Sequence, residues 1–146
     1  MLSNSCRYGI RAVIYLASQP LPNGKTGIKK ISSNLDLPAP FLAKILQQLA
    51  KKKILSSSKG PHGGFSLLKD SQKLTLLDIV NTIDGDEIFT NCVMHNGSCK
   101  YVEKDKIPCP LHEDYEKIRT DLINLFRSKT IYDLVIRAKN GELITI

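Results

Sequence analysis

Residues 28–67 read IKKISSNLDLPAPFLAKILQQLAKKKILSSSKGPHGGFSL, and their pattern is the strongest indication of the fold. Its first half predicts a short helix, capped by Gly27 and ended before Pro38, and then a longer helix that begins near Pro40 and runs toward Lys53. The apolar face of the longer helix consists of Phe41, Leu42, Ile45, Leu46 and Leu49. Two short helices joined by a tight turn, the second one longer and basic, are typical of a helix-turn-helix.

The second half of the stretch predicts a β-hairpin. Two short strands, residues 54–58 and 65–68, flank the loop Lys59-Gly60-Pro61-His62-Gly63-Gly64, whose glycines and proline permit a tight reversal. The loop is not a phosphate-binding P-loop, because no Gly-Lys-Ser/Thr follows and it does not open a helix. A hairpin directly after a helix-turn-helix predicts the wing of a winged helix.

Helices are also predicted on both sides of this stretch. Ser3 or Asn4 can cap a first helix that ends before Pro20, and Thr75 with Asp78 forms a capping-box pattern for a helix that ends at Ile83. Thr130 with Asp133 predicts a similar cap for a last helix that closes before Asn140-Gly141. The chain is therefore expected to be mainly α with a small β-wing.

A long helix is predicted to begin at His112. Its apolar residues Tyr115, Ile118, Leu122 and Leu125 recur in alternating steps of three and four residues. Such a heptad-like seam suits pairing with a second copy of the chain, and a face buried against the same chain is the alternative.

Charge is distributed unevenly over the 146 residues. Residues 1–75 carry twelve Lys or Arg against two acids, whereas residues 76–146 carry nine basic and twelve acidic side chains. A basic surface attracts phosphate backbones, although a solubilising lysine-rich surface is the simpler alternative. No signal peptide and no membrane-spanning stretch is predicted, so we expect a cytoplasmic protein without a membrane partner.

Three of the four cysteines fall in one polar segment beside a histidine, as Cys92, Cys99, Cys109 and His112. Cysteines in a reducing compartment do not predict a disulfide framework. The thiolates and the imidazole could hold an iron-sulfur cluster or a tetrahedral zinc ion, or the thiols could sense oxidants without a metal. His95 is a weaker candidate ligand, and Cys6 in the first helix is expected to be a core thiol.

Several motifs together resemble the iron-sulfur cluster regulator family of winged helix-turn-helix transcription factors, which includes the IscR, NsrR and CymR types. The first helix of that family is similar to residues 8–17 (YGIRAVIYLA), its recognition helix to residues 40–49 (PFLAKILQQL), and its wing to residues 58–67 (SKGPHGGFSL). The resemblance implies a homodimer that binds a double-stranded DNA operator. It also implies that Cys92, Cys99, Cys109 and His112 hold an iron-sulfur cluster, with [2Fe-2S] favoured over [4Fe-4S].

This resemblance divides the chain by function. Residues 1–84 would be the DNA-binding domain, residues 85–111 the sensor loop, and residues 112–146 the dimerisation helix with a C-terminal helix. On the recognition helix, Gln47 can pair with adenine, and Lys44 can reach guanine or a phosphate. The full set of candidate DNA contacts is Lys29, Lys30, Pro40, Lys44, Gln47, Lys51, Lys59, His62 and Gly63.

Two other classes of protein are considered. An enzyme is not predicted, because no thiol is paired with a base in a nucleophile pattern and no nucleotide motif is present. A metal-storage or cluster-assembly protein would use the cysteines but would not need the basic helix-turn-helix and wing.

Overall fold

The computed structural model describes residues 2–20, 24–94, 97 and 109–140. Within these ranges the helices and strands follow in the order α1 (Asn4–Ala17), α2 (Ile28–Leu35), α3 (Ala39–Lys51), β1 (Leu55–Ser58), β2 (Gly64–Leu67), α4 (Leu76–Ile83), α5 (Glu87–Thr90), α6 (His112–Ser128) and α7 (Ile131–Lys139). The predicted mainly α architecture with a small β-wing is confirmed. The short helix α5, within the expected sensor loop, is not predicted by the sequence. No helix in the described ranges is long and apolar enough to cross a membrane.

The helix-turn-helix depends on one backbone reversal and a buried helix face. Asp36 adopts a left-handed conformation with φ 52°, and the Leu37 amide then donates to the Ser32 carbonyl at 3.0 Å, which ends α2. Helix α3 starts one residue before Pro40, which therefore occupies the second helical position. Fully buried side chains on its inner face fix its orientation: Leu42, Leu46 and Leu49.

The wing is a two-stranded antiparallel hairpin in which Leu55 faces Leu67 and Ser58 faces Gly64. Thr26 joins the hairpin through two backbone hydrogen bonds of 2.9 Å with Phe65. Gly64 has φ 148°, and a Cβ there would overlap the Thr26 backbone. Only glycine therefore allows Thr26 and the wing to approach this closely.

Capping boxes start α4 and α7, as predicted. The Thr75 hydroxyl accepts from the Asp78 amide and the Asp78 carboxylate accepts from the Thr75 amide, both at 3.1 Å. Thr130 and Asp133 repeat the arrangement at 3.1 and 3.0 Å. Burial acts to raise the pKa of Asp78, but hydrogen bonds from Lys69 and Thr75 and the Lys69 charge outweigh it and hold that pKa below its ordinary value.

Two apolar clusters form the core. The larger one joins α1, α2, α3, both strands, α4 and α7, and includes Ile31, Leu46 and Ile131. The smaller one contains Cys6, Val80 and Phe89, and partly buried residues of α6 pack against it: Leu122, Ile123 and Phe126. The second cluster therefore fixes α5 and α6 to the winged-helix head, by which we mean α1 to α4 with the two strands.

Candidate functional site

The predicted DNA contacts lie on α2, on α3 and in the wing loop, and all of them except Gly63 are exposed. Lys29 and Lys30 are exposed on α2, and Lys59 and His62 are exposed in the wing loop. The exposed residues of α3 include Pro40, Lys44, Gln47 and Lys51. Gly63 is half-buried, and a Cβ there would overlap the Ser58 carbonyl oxygen, so its role in the wing is to allow a close backbone approach.

The positive charge of this surface is largely uncompensated. Residues 24–69 contain nine lysines, and Asp36 is their single acidic residue. Within the described ranges, Lys29, Lys30, Lys44, Lys51 and Lys59 form no ion pair. Because no carboxylate neutralises them, these side chains can bind phosphates without first breaking a salt bridge.

The position of α3 is fixed by more than its apolar face. The Gln48 side-chain amide donates to the Thr82 carbonyl of α4 at 2.8 Å. One expectation about this helix is wrong: Phe41 is not on the buried face but is 42% exposed, and its ring packs edge-on against Tyr8 with centroids 5.8 Å apart. The four aliphatic residues of the same predicted face are buried, so the core is closed without Phe41.

A buried arginine brings the two ends of the cysteine-bearing segment together. Arg119 of α6 is 8% exposed and donates at 3.1 Å to the carbonyl of Thr90, two residues before Cys92. Its guanidinium also pairs with Glu116 and lies 5.7 Å from the centroid of the Tyr115 ring. The second turn of α6 is thereby held beside the end of α5.

As a result, Cys92, Cys109 and His112 line the same small cavity, together with apolar residues that include Met94 and Leu111. The Cys92 amide donates to the Gly97 carbonyl at 2.7 Å, and the His112 amide donates to the Cys109 carbonyl at 3.1 Å. His112 Nδ1 is buried and makes no hydrogen bond with any described residue. Buried polar nitrogens are normally hydrogen-bonded, so the partner of this one does not lie among the described residues.

Only part of the predicted ligand set lies among the described residues. Cys99 and the weaker candidate His95 lie outside the described residues. In the described part of the chain, no three His, Cys, Asp or Glu side chains are grouped closely enough to hold a metal ion. Three of the predicted ligands thus surround one cavity without forming a finished coordination sphere there.

Cys6 is a core thiol, as expected. It is fully buried in the smaller apolar cluster, where desolvation and the nearby Asp84 carboxylate raise its pKa to about 12. Next to it, the Ser3 amide and hydroxyl donate to the two Asp84 carboxylate oxygens at 2.8 and 2.5 Å. Cys92 lines a larger cavity of about 630 Å³ that reaches Ser3 and Asp84.

The predicted seam on α6 is divided between two faces. Leu122 packs against the smaller core cluster, whereas Ile118 and Leu125 are 64% and 50% exposed. Leu111, at 39% exposure, lies seven residues before Ile118, so the exposed stripe repeats every seven residues. Of the predicted seam, Leu122 is therefore an intramolecular contact.

The sequence interpretation missed Arg119. The sequence contains a pattern that could have indicated its burial. The spacing i, i+3, i+4 and i+7 places on one helix face Arg119, Leu122, Ile123 and Phe126. A charged residue on an otherwise apolar stripe indicates a buried charge with a specific partner.

Comparisons with known proteins agree with this architecture. A model of the Rrf2 family, described as iron-dependent transcriptional regulators, matches residues 2–137. A predicted HTH-type transcriptional regulator of Aquifex aeolicus is 30% identical over 135 residues, which cover 92% of this chain and 91% of that protein. The transcriptional regulator IscR of Klebsiella pneumoniae is 24% identical over 148 residues, covering 99% of this chain and 83% of IscR.

Solved structures show the same fold. CymR, the global cysteine regulator of B. subtilis, is 23% identical, with a TM-score of 0.73 over 92% of this chain and 95% of that one. T. potens IscR is 20% identical, with a TM-score of 0.72 over 100% of this chain and 93% of its own. The resemblance noted in the sequence is confirmed, and the family consists of regulators rather than enzymes. The match over residues 2–137 and the identity to the Aquifex protein together assign this chain to the Rrf2 family of DNA-binding transcriptional regulators.

Proposed function

We propose that this regulator binds duplex DNA as a homodimer and that an iron-sulfur cluster held by Cys92, Cys99, Cys109 and His112 controls its affinity. The observation that carries the DNA-binding part is the unpaired positive surface formed by α2, α3 and the wing. Such a protein acts in the compartment that contains the DNA, which for this chain we take to be the cytoplasm. The divisions 1–84, 85–111 and 112–146 are proposed as functional regions.

Helix α3 is proposed to lie in the major groove. Gln47 would pair with adenine, and Lys44 would donate to guanine or to a phosphate. Lys29, Lys30, Lys51 and Lys59 would contact phosphates, which position the protein without reading sequence. His62 would reach the backbone or groove from the wing, and Pro40 would offer an apolar contact at the start of α3. Gly63 would contribute through the wing conformation.

The second copy is proposed to pack on the exposed stripe of α6. Leu111, Ile118 and Leu125 repeat at seven residues, the interval at which a helix presents one seam to a partner. Tyr132 and Ile136 of α7, exposed at 42% and 38%, would extend this apolar surface. Dimerisation would place two winged heads on two half-sites of an operator.

Analytical ultracentrifugation tests this interface. The double variant Ile118→Glu with Leu125→Glu should sediment as a monomer, because it places carboxylates in the centre of the seam. Thr120→Glu, an exposed change outside the stripe on the same helix, is the matched control and should remain dimeric. A dimeric double variant would refute this choice of interface.

The donor atoms suit an iron-sulfur cluster. Thiolates and one imidazole are ligands that such clusters accept, and [2Fe-2S] is favoured over [4Fe-4S]. The buried Nδ1 of His112 and the cavity shared with Cys92 and Cys109 support the proposal. When bound, the cluster would supply redox-active iron and ligand bonds that join residues distant in sequence. Met94 and Leu111 would limit the access of water to the thiols.

The segment is connected to the head in a way that suits a regulator. Arg119 links the end of α5 to α6, and Asp84 at the end of α4 binds Ser3 at the start of α1. We propose that cluster binding by Cys92, Cys99, Cys109 and His112 changes the relative position of the two heads in the dimer. A coupling of about 1–3 kcal/mol would change operator affinity by roughly 5- to 150-fold.

The cysteine site has two alternatives to an iron-sulfur cluster, namely structural zinc and metal-free thiol sensing. Structural zinc would use the same thiolates and imidazole. Thiol sensing without a metal would use the same cysteines as sensors of oxidants, and one structural neighbour is an oxidised form of Staphylococcus aureus CymR. Both alternatives leave the DNA-binding surface unchanged.

The deciding experiment uses full-length protein purified without air. Iron and acid-labile sulfide should be present in stoichiometric amounts, and operator affinity should change when the cluster is removed. Alanine variants of Cys92, Cys99 and Cys109 should lose the iron, while Cys6→Ala, which changes a core thiol, should retain it. Stoichiometric zinc without sulfide, or DNA binding indifferent to the three cysteines, would refute the cluster part.

A further inference from the structure

The exposed ring of Phe41 is not explained by the core or by the proposed contacts. Its ring is 42% exposed, although buried Leu42 and Ile45 beside it already close the inner face of α3. Removing apolar surface from water is favourable in free energy, so covering the exposed part of this ring would stabilise a complex. The position therefore suggests that the ring is covered by a ligand when the protein acts.

The ring lies at the edge of the proposed DNA-binding face. With a rotation of about 100° per residue, Phe41 is only about 60° around the helix from Lys44. It belongs to the first turn of α3, and the N-terminal residues of a recognition helix are those that reach base edges. Edge-on packing at 85° against Tyr8 restricts how the ring can turn.

We propose that Phe41 contacts the 5-methyl group of a thymine in the major groove and so selects an A·T pair at one position of each half-site. A phenyl ring cannot form the hydrogen bonds that read the other bases, and the thymine methyl is the apolar group displayed in that groove. The exposed lysines of α2 and α3, at positions 29, 30, 44 and 51, favour a polyanionic occupant over an apolar protein surface. The inference rests on the proposed DNA-binding face.

The test removes the methyl group without changing base pairing. A site is first selected by the wild-type dimer from random-sequence duplex DNA, and each thymine is then replaced in turn by deoxyuridine. One thymine per half-site should show a loss of roughly three- to tenfold in affinity for the wild type, the size expected for one buried methyl group. In Phe41→Ala the same replacement should have no effect, whereas Phe41→Leu should keep most of the sensitivity.

Controls separate the possible failures. Phe41→Ala should retain the wild-type melting temperature within a few degrees, the dimeric state and the affinity for nonspecific duplex DNA. Selection of no site at all by the wild type would overturn the proposed function. A selected site whose thymine methyl groups are all insensitive to Phe41 would overturn this inference alone, and so would dissociation of the Phe41→Ala dimer, which would mean that a protein surface covers the ring.

Discussion

Removing the charge at the wing tip should change the salt dependence of DNA binding by a predictable amount. The variant is Lys59→Gln, chosen because Lys59 is exposed, has no ion pair within the described ranges and lies in the loop rather than in a strand. Each phosphate contact contributes about −0.9 to the slope of log affinity against log salt concentration. The effect can therefore be counted from the structure.

The five lysines proposed as DNA contacts in each protomer, at positions 29, 30, 44, 51 and 59, give about ten phosphate contacts for a dimer when Lys44 binds a phosphate, and a slope near −9. Raising the salt concentration from 50 to 200 mM should then weaken wild-type binding by about 10⁵-fold. Lys59→Gln removes two contacts per dimer, so the slope should fall to about −7 and the loss should be about tenfold smaller.

Fluorescence anisotropy with a labelled duplex, repeated at five or more salt concentrations, measures this slope. The matched control is Lys139→Gln, which removes an exposed charge in the last turn of α7, outside the winged-helix elements. Equal slopes for Lys59→Gln and wild type would refute a wing contact with phosphate. An equally large change in the control would show that net charge, rather than the surface described here, determines the affinity.

Other expectations concern the fold. Gly64→Ala should lower the free energy of unfolding by roughly 1–3 kcal/mol in urea, because of its backbone overlap and positive φ. Gly60→Ala, which has φ 102° but open space around it, should cost less. Iodoacetamide at pH 8 should alkylate Cys6 only after unfolding, as judged by mass spectrometry, whereas half-buried Cys109 should react in native apoprotein. Because the pKa of Asp78 is lower in the folded than in the unfolded protein, the ionised carboxylate stabilises the fold above about pH 4. This stabilisation is lost as the pH falls through the folded pKa. In urea unfolding, the free energy of unfolding of Asp78→Asn should fall less between neutral and acid pH than that of the wild type. The difference should be less than about 1 kcal/mol, because the Lys69–Asp78 pair is partly exposed.

Features with a local cause could be predicted from the sequence. The capping boxes at Thr75 and Thr130 require residues only three positions apart, and the glycine-rich wing loop requires a positive φ. The exposure of Lys44, Gln47 and Lys51 also has a local cause, because polar residues on a helix opposite its apolar stripe face water.

What the sequence could not supply depends on which neighbour covers each apolar face. Phe41 satisfies the helical spacing of a core residue, yet the closing of the core by other side chains leaves it at the surface. Leu122 belongs to the same heptad as Ile118, but it packs against the smaller core cluster of its own chain. Periodicity identifies apolar residues, and only packing in three dimensions assigns each of them to a partner.

The last turn of α4 is a shared anchor for two other helices. The Thr82 carbonyl holds Gln48 of α3, and the Asp84 carboxylate two residues later holds Ser3 at the beginning of α1. The chain then continues through α5 directly to Cys92. A displacement of this single turn would consequently break bonds to α1 and to α3, the proposed recognition helix, at the same time. A pull applied at Cys92 is first resisted by the Arg119 bond to Thr90 and by buried Phe89, and it reaches that junction only after them.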